Sequence, residues 1–161
     1  AIDKEIIRAI CSSDNFLKKR ILNITDLKKR IEAISFYKEK GSFDKIQKII
    51  TRVSKLADSG NLKKDVLSNK GYINQEIFEK QCELKVFDFI EELERLFTKD
   101  DWNYLKILNL FETNSKNLEE LFDNKKGVLV MSEDNQIKEN RLNLLGIIRN
   151  YSLKIVDFTL L

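Results

Sequence analysis

Four basic residues in the first half of the chain, Lys45, Lys48, Arg52 and Lys55, follow the spacing i, i+3, i+7, i+10. On a helix of 3.6 residues per turn these positions lie on one face, beside an apolar stripe that begins at Ile46. Lys and Arg are the residues that neutralise phosphates along a nucleic acid backbone. The spacing therefore indicates a polyanion-binding surface. The ordinary alternative is a solvated charged helix face.

A second group of candidate contact residues, Lys138, Arg141 and Arg149, lies on the last predicted helix. Arg141 and the neighbouring Asn140 are suited to bidentate hydrogen bonds with nucleic acid. An equal alternative for Arg141 is a structural salt bridge to a nearby acid such as Asp123, Glu133 or Asp134. Asp134 is also a good N-cap for the last helix, because its carboxylate suits the positive helix end.

Tyr37, Tyr104 and Tyr151 could stack on splayed bases, which is how single-stranded RNA is usually bound. The alternative for each tyrosine is a place at the edge of the core with its hydroxyl in water.

Residues for catalysis are scarce. The chain has no histidine, which excludes Ser-His-Asp and Cys-His arrangements, and it has no Gly-rich phosphate loop. Paired acids such as Glu91–Glu92 read as solvated helix faces. The two cysteines, Cys11 and Cys82, are too few for a disulfide framework, so we expect free core or half-buried thiols in a reducing cytosol.

The charge is unevenly distributed along the chain. The formal net charge is +3, but residues 1–70 hold 17 Lys/Arg and 9 Asp/Glu, whereas residues 71–161 hold 12 and 17. A basic first half favours a polyanionic partner. No apolar run approaches the ~18 residues needed to span a bilayer, so we expect no membrane partner.

The elements that must carry these residues are helices. The chain has 161 residues, no proline and only five glycines, and Leu, Ile, Lys and Glu are abundant. Apolar periodicity predicts an all-α bundle of six to eight helices in one domain, residues 1–161. The predicted helices cover 2–11, 16–22 after a cap at Asp14 or Asn15, about 25–40, 42–59, 75–97, a helix from Asp100, 117–122, and 136–158. Residues 128–131 are the one ambiguous strand-like run.

Two of the predicted helices, at about 25–40 and at 42–59, have explicit start and stop signals in the sequence. Thr25 or Asp26 is expected to cap the helix that ends at Gly41, and Ser42 is expected to cap the helix that ends before Gly60. Residues 61–75 are polar and irregular and are expected to form the long connection.

The C-terminal stretch LFDNKKGVLVMSEDNQIKENRLNLLGIIRNYSLKIVDFTLL, residues 121–161, carries many residues in a specific order. It resembles the C-terminus of the bacterial glycyl-tRNA synthetase beta subunit family, which ends close to F-F-D-x-V-x-V-M-x-[ED]-[DE]-x-x-[RK]-x-N-R-L-x-L-L and then V-A-D-[FIL]-x-x-L. The motif positions include Asp123, Asp134, Asn140 and Arg141. Weaker similarity continues upstream through DLKKRIEAISFYKEKGSFDKIQKIITRVSKLA and INQEIFEKQCELKVFDFIEEL.

Two positions depart from the family pattern. The family passes from F-F-D to V-x-V-M through one residue, whereas residues 124–127 supply four here. The family's K-R-x-x-N-I helix appears as residues 51–56, which keep Arg52 but not the asparagine.

The resemblance implies a helical anticodon-binding domain of the type shared with arginyl-tRNA synthetases, and a C-terminal fragment of a longer cytoplasmic protein. It implies tRNA(Gly), the alpha subunit and the rest of the beta subunit as partners, in an assembly of two alpha and two beta chains. The alpha subunit would activate glycine with ATP and Mg²⁺, so this domain itself would be non-catalytic and would need no cofactor. The rival hypothesis is a helical protein-protein interaction domain without RNA binding.

Overall fold

The computed structural model describes residues 4–12, 24–98 and 102–161 of the chain. These residues form six α-helices and two 3-10 turns, and no β-strand occurs within the described ranges. The helices are α1 (Lys4–Ser12), α2 (Ile24–Glu39), α3 (Phe43–Ala57), α4 (Gln81–Phe97), α5 (Tyr104–Leu121) and α6 (Asn135–Leu153), and the 3-10 turns are Gln75–Ile77 and Phe158–Leu160. The prediction of an all-α fold is confirmed. The predicted helix 16–22, its cap, and the start at Asp100 lie outside the described residues.

The junction between α2 and α3 lies where the sequence predicts it. Gly41 adopts a left-handed φ of 78°, which side chains other than Gly rarely tolerate. Ser42 occupies the N-cap position of α3, but its side chain makes no cap hydrogen bond. The predicted caps of α2 are wrong, because α2 begins at Ile24 and therefore includes Thr25 and Asp26.

The predicted long helix 75–97 is divided in two. The Asn74 side chain caps the first 3-10 turn by accepting from Glu76 N, and the backbone is then extended at Phe78 and Lys80. The Glu83 carboxylate reaches back and accepts from Glu79 N and Lys80 N at 2.8 and 3.0 Å. These bonds satisfy free amides at the start of α4, so the chain enters a new helix at Gln81.

Two other predicted boundaries are corrected by the structure. Residues 117–122 are not a separate turn of helix, because α5 continues without interruption to Leu121. The last helix stops at Leu153 rather than near Phe158. Beyond it, the Asp157 amide donates to Ala9 O of α1 at 3.2 Å, so the end of the chain is held by a tertiary contact instead of by continued helix.

Helix α6 is the centre of the bundle. Every residue from 140 to 153 is buried, and α6 lies against both α3 and α4, while α5 packs against α3 and α4. Phe158 closes the other side of the core by stacking on Phe43, with ring centroids 5.7 Å apart. Because α6 also carries polar side chains into this interior, each of them requires a hydrogen-bond partner there. None of the described helices is both long and apolar enough to cross a membrane.

Candidate nucleic-acid interface

The four basic residues that the sequence singles out form an exposed line along α3, which we call the cationic face: Lys45, Lys48, Arg52 and Lys55. The opposite side of α3 is buried and apolar, and includes Ile46, Ile49, Ile50 and Val53. Burial of this stripe holds the helix in one orientation, so its charged side must face solvent. The predicted exposure of the line is therefore confirmed, while its contact with RNA stays a prediction.

Arg52 differs from the other members of the cationic face, because its guanidinium lies over an aromatic ring. Its Cζ atom is 4.3 Å from the centroid of Phe122, just beyond the end of α5. Lys45 makes only a long surface contact, with its Nζ 3.9 Å from Glu119 Oε1. Exposed pairs of this kind contribute little free energy, so Lys45 stays available to other anions, whereas Arg52 has a preferred position.

Residues 122–131 form a tight loop, which we call the 122–131 loop. The Val128 amide donates to Leu121 O and the Gly127 amide to Asp123 O, both at 2.9 Å. Asp123 Oδ1 accepts from the amides of Lys125 and Lys126, both at 2.8 Å. These bonds, the Lys126 amide first, hold the pKa of Asp123 below its usual value. The four residues 124–127 are thus accommodated in a turn closed by Asp123.

The start of α4 anchors this loop from the other side. Lys80 Nζ donates to Gly127 O at 2.5 Å and to Lys125 O at 3.4 Å, and Cys82 Sγ lies 3.5 Å from Lys126 O. Cys82 is buried as predicted, and burial raises the pKa of its thiol. Cys11 is exposed, so the prediction of a core or half-buried thiol is wrong at that position.

A groove of about 490 Å³ lies between α3 and the 122–131 loop. Arg52 and Leu56 line it from α3, Lys80 from the start of α4, and Phe122 with residues 123–124 and 127–131 from the loop. Two apolar side chains on its loop side are largely exposed, Leu129 at 70% and Met131 at 48%. The groove therefore combines cations, an aromatic ring and exposed apolar surface.

Arg141 lies inside the protein rather than on a contact surface. Its side chain is 3% exposed; Nε donates to Glu83 Oε1 at 2.9 Å, Nη2 to Glu79 Oε2 at 2.5 Å and Nη1 to Leu129 O at 3.0 Å. The structural salt bridge is therefore present, but the predicted acceptors Asp123, Glu133 and Asp134 are wrong. Since all three guanidinium nitrogens are engaged, burial removes Arg141 from the candidate RNA contacts.

Arg149 is a second correction, because it too is buried. Nη1 donates to Asp58 Oδ1 at 2.9 Å, Nη2 to Leu62 O at 2.8 Å and Nε to Asn150 Oδ1 at 3.1 Å. It ties the connection after α3 to α6 and is not placed to meet a polyanion. Lys138, near the start of α6, is half-buried, and its role stays a prediction.

The remaining motif residues have structural partners. Asp134 is the N-cap of α6 as predicted, and its side chain accepts from the amides of Gln136 and Ile137. Asn140 forms a two-way pair with the backbone of Asn74: it accepts from Asn74 N at 2.7 Å and donates to Asn74 O at 2.9 Å. The amide expected to suit RNA instead holds the long connection against α6.

The three tyrosines proposed as stacking surfaces are buried, so none of them is exposed to a base. The alternative prediction, a core edge with the hydroxyl in water, is wrong as well. Tyr37 donates weakly to Leu105 O at 3.5 Å, and Tyr104 donates to Asp26 Oδ1 at 2.7 Å while it accepts from Arg30 Nε at 3.1 Å. Tyr151 packs on Phe97 with ring centroids 5.0 Å apart. Burial raises the pKa of Tyr104 to about 12 and also raises that of Tyr151.

Of the residues that line the groove, only Arg52 was predicted from the sequence as a contact; Phe122, Leu129 and Met131 are among those that were not. Two of them, Phe122 and Met131, stand in the C-terminal motif. Two features of the sequence could have indicated them. Phe122 stands at the end of a predicted helix, and the segment that follows is too short and irregular to bury both Leu129 and Met131.

No protein-family model matches the chain. Its similar curated proteins include the glycine–tRNA ligase beta subunits of Picosynechococcus sp., 31% identical over 160 residues, and of Acaryochloris marina, 29% identical over 160 residues. A third, from Persephonella marina, is 27% identical over 159 residues. The alignments cover 98% of this chain but only 22%, 22% and 20% of the three relatives. The chain is therefore similar, over nearly its whole length, to about a fifth of a glycine–tRNA ligase beta subunit.

Proposed function

We propose that residues 1–161 are a C-terminal tRNA-binding domain of a glycyl-tRNA synthetase beta subunit, of the helical anticodon-binding type. Similarity along 98% of the chain to proteins named as that subunit is the observation that carries the proposal. The all-helical fold and the exposed cationic face support it. In this role the domain would hold the anticodon arm of tRNA(Gly) while glycine is attached elsewhere.

The parent protein in this proposal works in the cytoplasm as two alpha and two beta subunits. The ATP-dependent reaction, with its Mg²⁺, would take place on the alpha subunit, and this domain would contribute binding rather than catalysis. Its partners would be tRNA(Gly), the alpha subunit and the rest of the beta subunit.

The physical basis of the proposal is the charge of α3. Each Lys or Arg that neutralises a phosphate releases condensed counterions, so affinity falls steeply as salt concentration rises. Lys48, Arg52 and Lys55 are exposed, and none of them forms an ion pair with an acid in the part of the chain that the structure describes. They are therefore the residues we assign to phosphate contact, with Lys45 beside them and Lys138 as an additional candidate.

The test is a titration of labelled tRNA(Gly) between about 50 and 200 mM salt. Replacing both Arg52 and Lys55 with Ala should weaken binding and reduce the slope of log K against log salt by about one unit for each lost contact. Lys28→Ala/Lys106→Ala is the matched control, since it removes two exposed cations from α2 and α5. Equal affinities and equal slopes in all three proteins would contradict the assignment.

The competing function is protein-protein interaction, and one observation favours it. A groove of about 420 Å³ between α2 and the start of α5 carries two exposed apolar side chains, Phe36 and Leu105. Apolar patches of this kind mark interaction sites. On this hypothesis the chain would not bind tRNA even in low salt, and its association with a partner protein would depend little on salt.

A further inference from the structure

The groove between α3 and the 122–131 loop has features that phosphate binding alone does not require. A line of lysines is sufficient to follow a backbone, yet here an arginine is stacked on an aromatic ring and faces exposed apolar residues. We infer that this groove receives one unpaired RNA base, which stacks on the exposed side of the Arg52 guanidinium. The inference rests on the proposed function and adds a recognition element to it.

Arg52 is held in place for stacking. One side of its guanidinium lies over the Phe122 ring at 4.3 Å, while the side chain as a whole stays exposed. The guanidinium is planar and weakly hydrated, and it stacks on aromatic faces, including those of unstacked bases. Because Phe122 already restricts the side chain, a base on the free side would meet a surface that loses little further entropy.

The far side of the groove suits the apolar faces of a base. Leu129 and Met131 present exposed apolar side chains on this wall, and the groove's volume of about 490 Å³ falls in the range of small-molecule sites. Leu129 is fixed through its carbonyl, which accepts from the buried Arg141 at 3.0 Å. This wall is therefore anchored to the core.

The charges around the groove match a nucleotide and not merely an apolar ligand. Lys48 and Lys55 lie on the same helix face on either side of Arg52, separated by about 10 Å along the axis. Their ammonium groups can reach the phosphates that flank a splayed base. Asp123, the acid that lines the groove, already accepts two loop amides, so part of its acceptor capacity is used within the loop.

The experiment compares two RNA probes and two forms of the protein. The first probe is a hairpin with the anticodon-arm sequence of tRNA(Gly), and the second is a fully paired duplex of equal charge. Arg52→Lys keeps the positive charge but removes the planar stacking group. We expect it to weaken hairpin binding by about 5- to 150-fold, the loss expected for one stacked base, and to leave duplex binding and the salt slope nearly unchanged.

An abasic scan of the hairpin loop identifies the base. Removing the stacked base should produce a similar loss in the wild-type protein and little additional loss in Arg52→Lys, because both changes delete the same contact. Leu129→Ala is the second variant, since an exposed side chain can be truncated without loss of the core. Lys28→Ala is the control, and circular dichroism checks that each protein is folded.

The outcomes separate the two proposals. If Arg52→Lys binds the hairpin as tightly as wild type, or if no abasic position couples to Arg52, the base-stacking inference is overturned while tRNA binding stands. If the wild-type chain binds neither probe in low salt, the proposed function fails, and the base-stacking inference that rests on it fails as well.

Discussion

Arg141 and Glu83, which are 58 residues apart in the sequence, form a buried ion pair that joins α6 to the first turn of α4. The nitrogen-oxygen distance is 2.9 Å, and the side chains are 3% and 0% exposed. Glu83 also caps α4 through Glu79 N and Lys80 N, and Arg141 also holds the carbonyl of Leu129. One pair of side chains therefore sets both the start of a helix and the wall of the candidate groove.

Removing one partner of this pair should destabilise the protein strongly. Arg141→Met leaves the Glu83 carboxylate buried without its countercharge, which typically costs about 3–5 kcal/mol. The free energy of unfolding in urea measures the effect. Lys28→Met is the control, because it breaks an exposed pair with Glu32 at 3.8 Å and should cost no more than about 1 kcal/mol. Similar losses in the two variants would show that burial does not set the strength of the Arg141 pair.

Gly127 should resist substitution for steric reasons. A Cβ atom there would lie 2.3 Å from Leu121 O and 2.6 Å from Asp123 O, and both are backbone atoms that cannot move without opening the loop. We expect Gly127→Ala to cost about 1–3 kcal/mol, as overpacking does, and Gly127→Asn to cost more. Thermal unfolding gives both values.

Gly41 provides the contrast, because its limit is conformational. It has a φ of 78° and open space around it. Asn tolerates the left-handed region better than Ala does, so Gly41→Asn should be less harmful than Gly41→Ala. The order of Ala and Asn should therefore reverse between the two glycines, and the same order at both would contradict this explanation.

Alkaline pH should destabilise the fold through its buried tyrosines. Burial raises the pKa of Tyr104 to about 12, whereas an unfolded tyrosine has a pKa of about 10. Between these values the unfolded chain releases the proton and the folded chain keeps it. The stabilisation is therefore complete below pH 10 and is lost as pH rises toward 12, by at most about 1.4 kcal/mol per pH unit for each such group.

Tyr151→Phe tests this pH dependence at the second buried tyrosine. Burial also raises the pKa of Tyr151, and phenylalanine would keep the ring packing against Phe97 while it removes the ionisable hydroxyl. Urea unfolding between pH 9 and 11.5, in steps of about half a pH unit, should show a shallower loss of stability in the variant. If the free energy of unfolding falls equally steeply with pH in the two proteins, the prediction for Tyr151 is wrong.

The two cysteines should react at very different rates. Thiolates are the reactive form, and burial both raises the pKa of Cys82 and blocks access to it, whereas Cys11 is exposed. In the native protein a maleimide should modify Cys11 first, with Cys82 modified only on unfolding. Mass spectrometry of wild type and Cys11→Ser checks this, and rapid labelling of native Cys11→Ser would contradict the burial of Cys82.

Periodicity located the cationic face correctly because an amphipathic helix buries its apolar stripe whatever its partners are. The isoleucines of α3 face inward, so Lys48, Arg52 and Lys55 must face outward. The same reasoning failed on α6, where polar residues are interleaved with apolar ones. A helix buried on every side has no solvent face, so the positions of Arg149 and Asn140 were not evident from spacing.

Local signals located several boundaries and missed others. Gly41 and Asp134 act within a few residues of their own position, and both were predicted. The division at residues 78–80 depends on Glu83 folding back onto the preceding amides while Arg141 neutralises it from another helix. An apolar repeat that continues through the break does not carry that information.

By itself, the sequence determined the all-helical fold, the outward line of cations on α3, and the similarity to a synthetase beta subunit, because these depend on residue type and spacing along the chain. Only the tertiary structure decided which charges are available. It placed Arg141 against Glu83 and Arg149 against Asp58, and it left Arg52 exposed on Phe122. The physical reason is that a charged side chain pairs with whichever partner the packing of distant helices brings within hydrogen-bond distance.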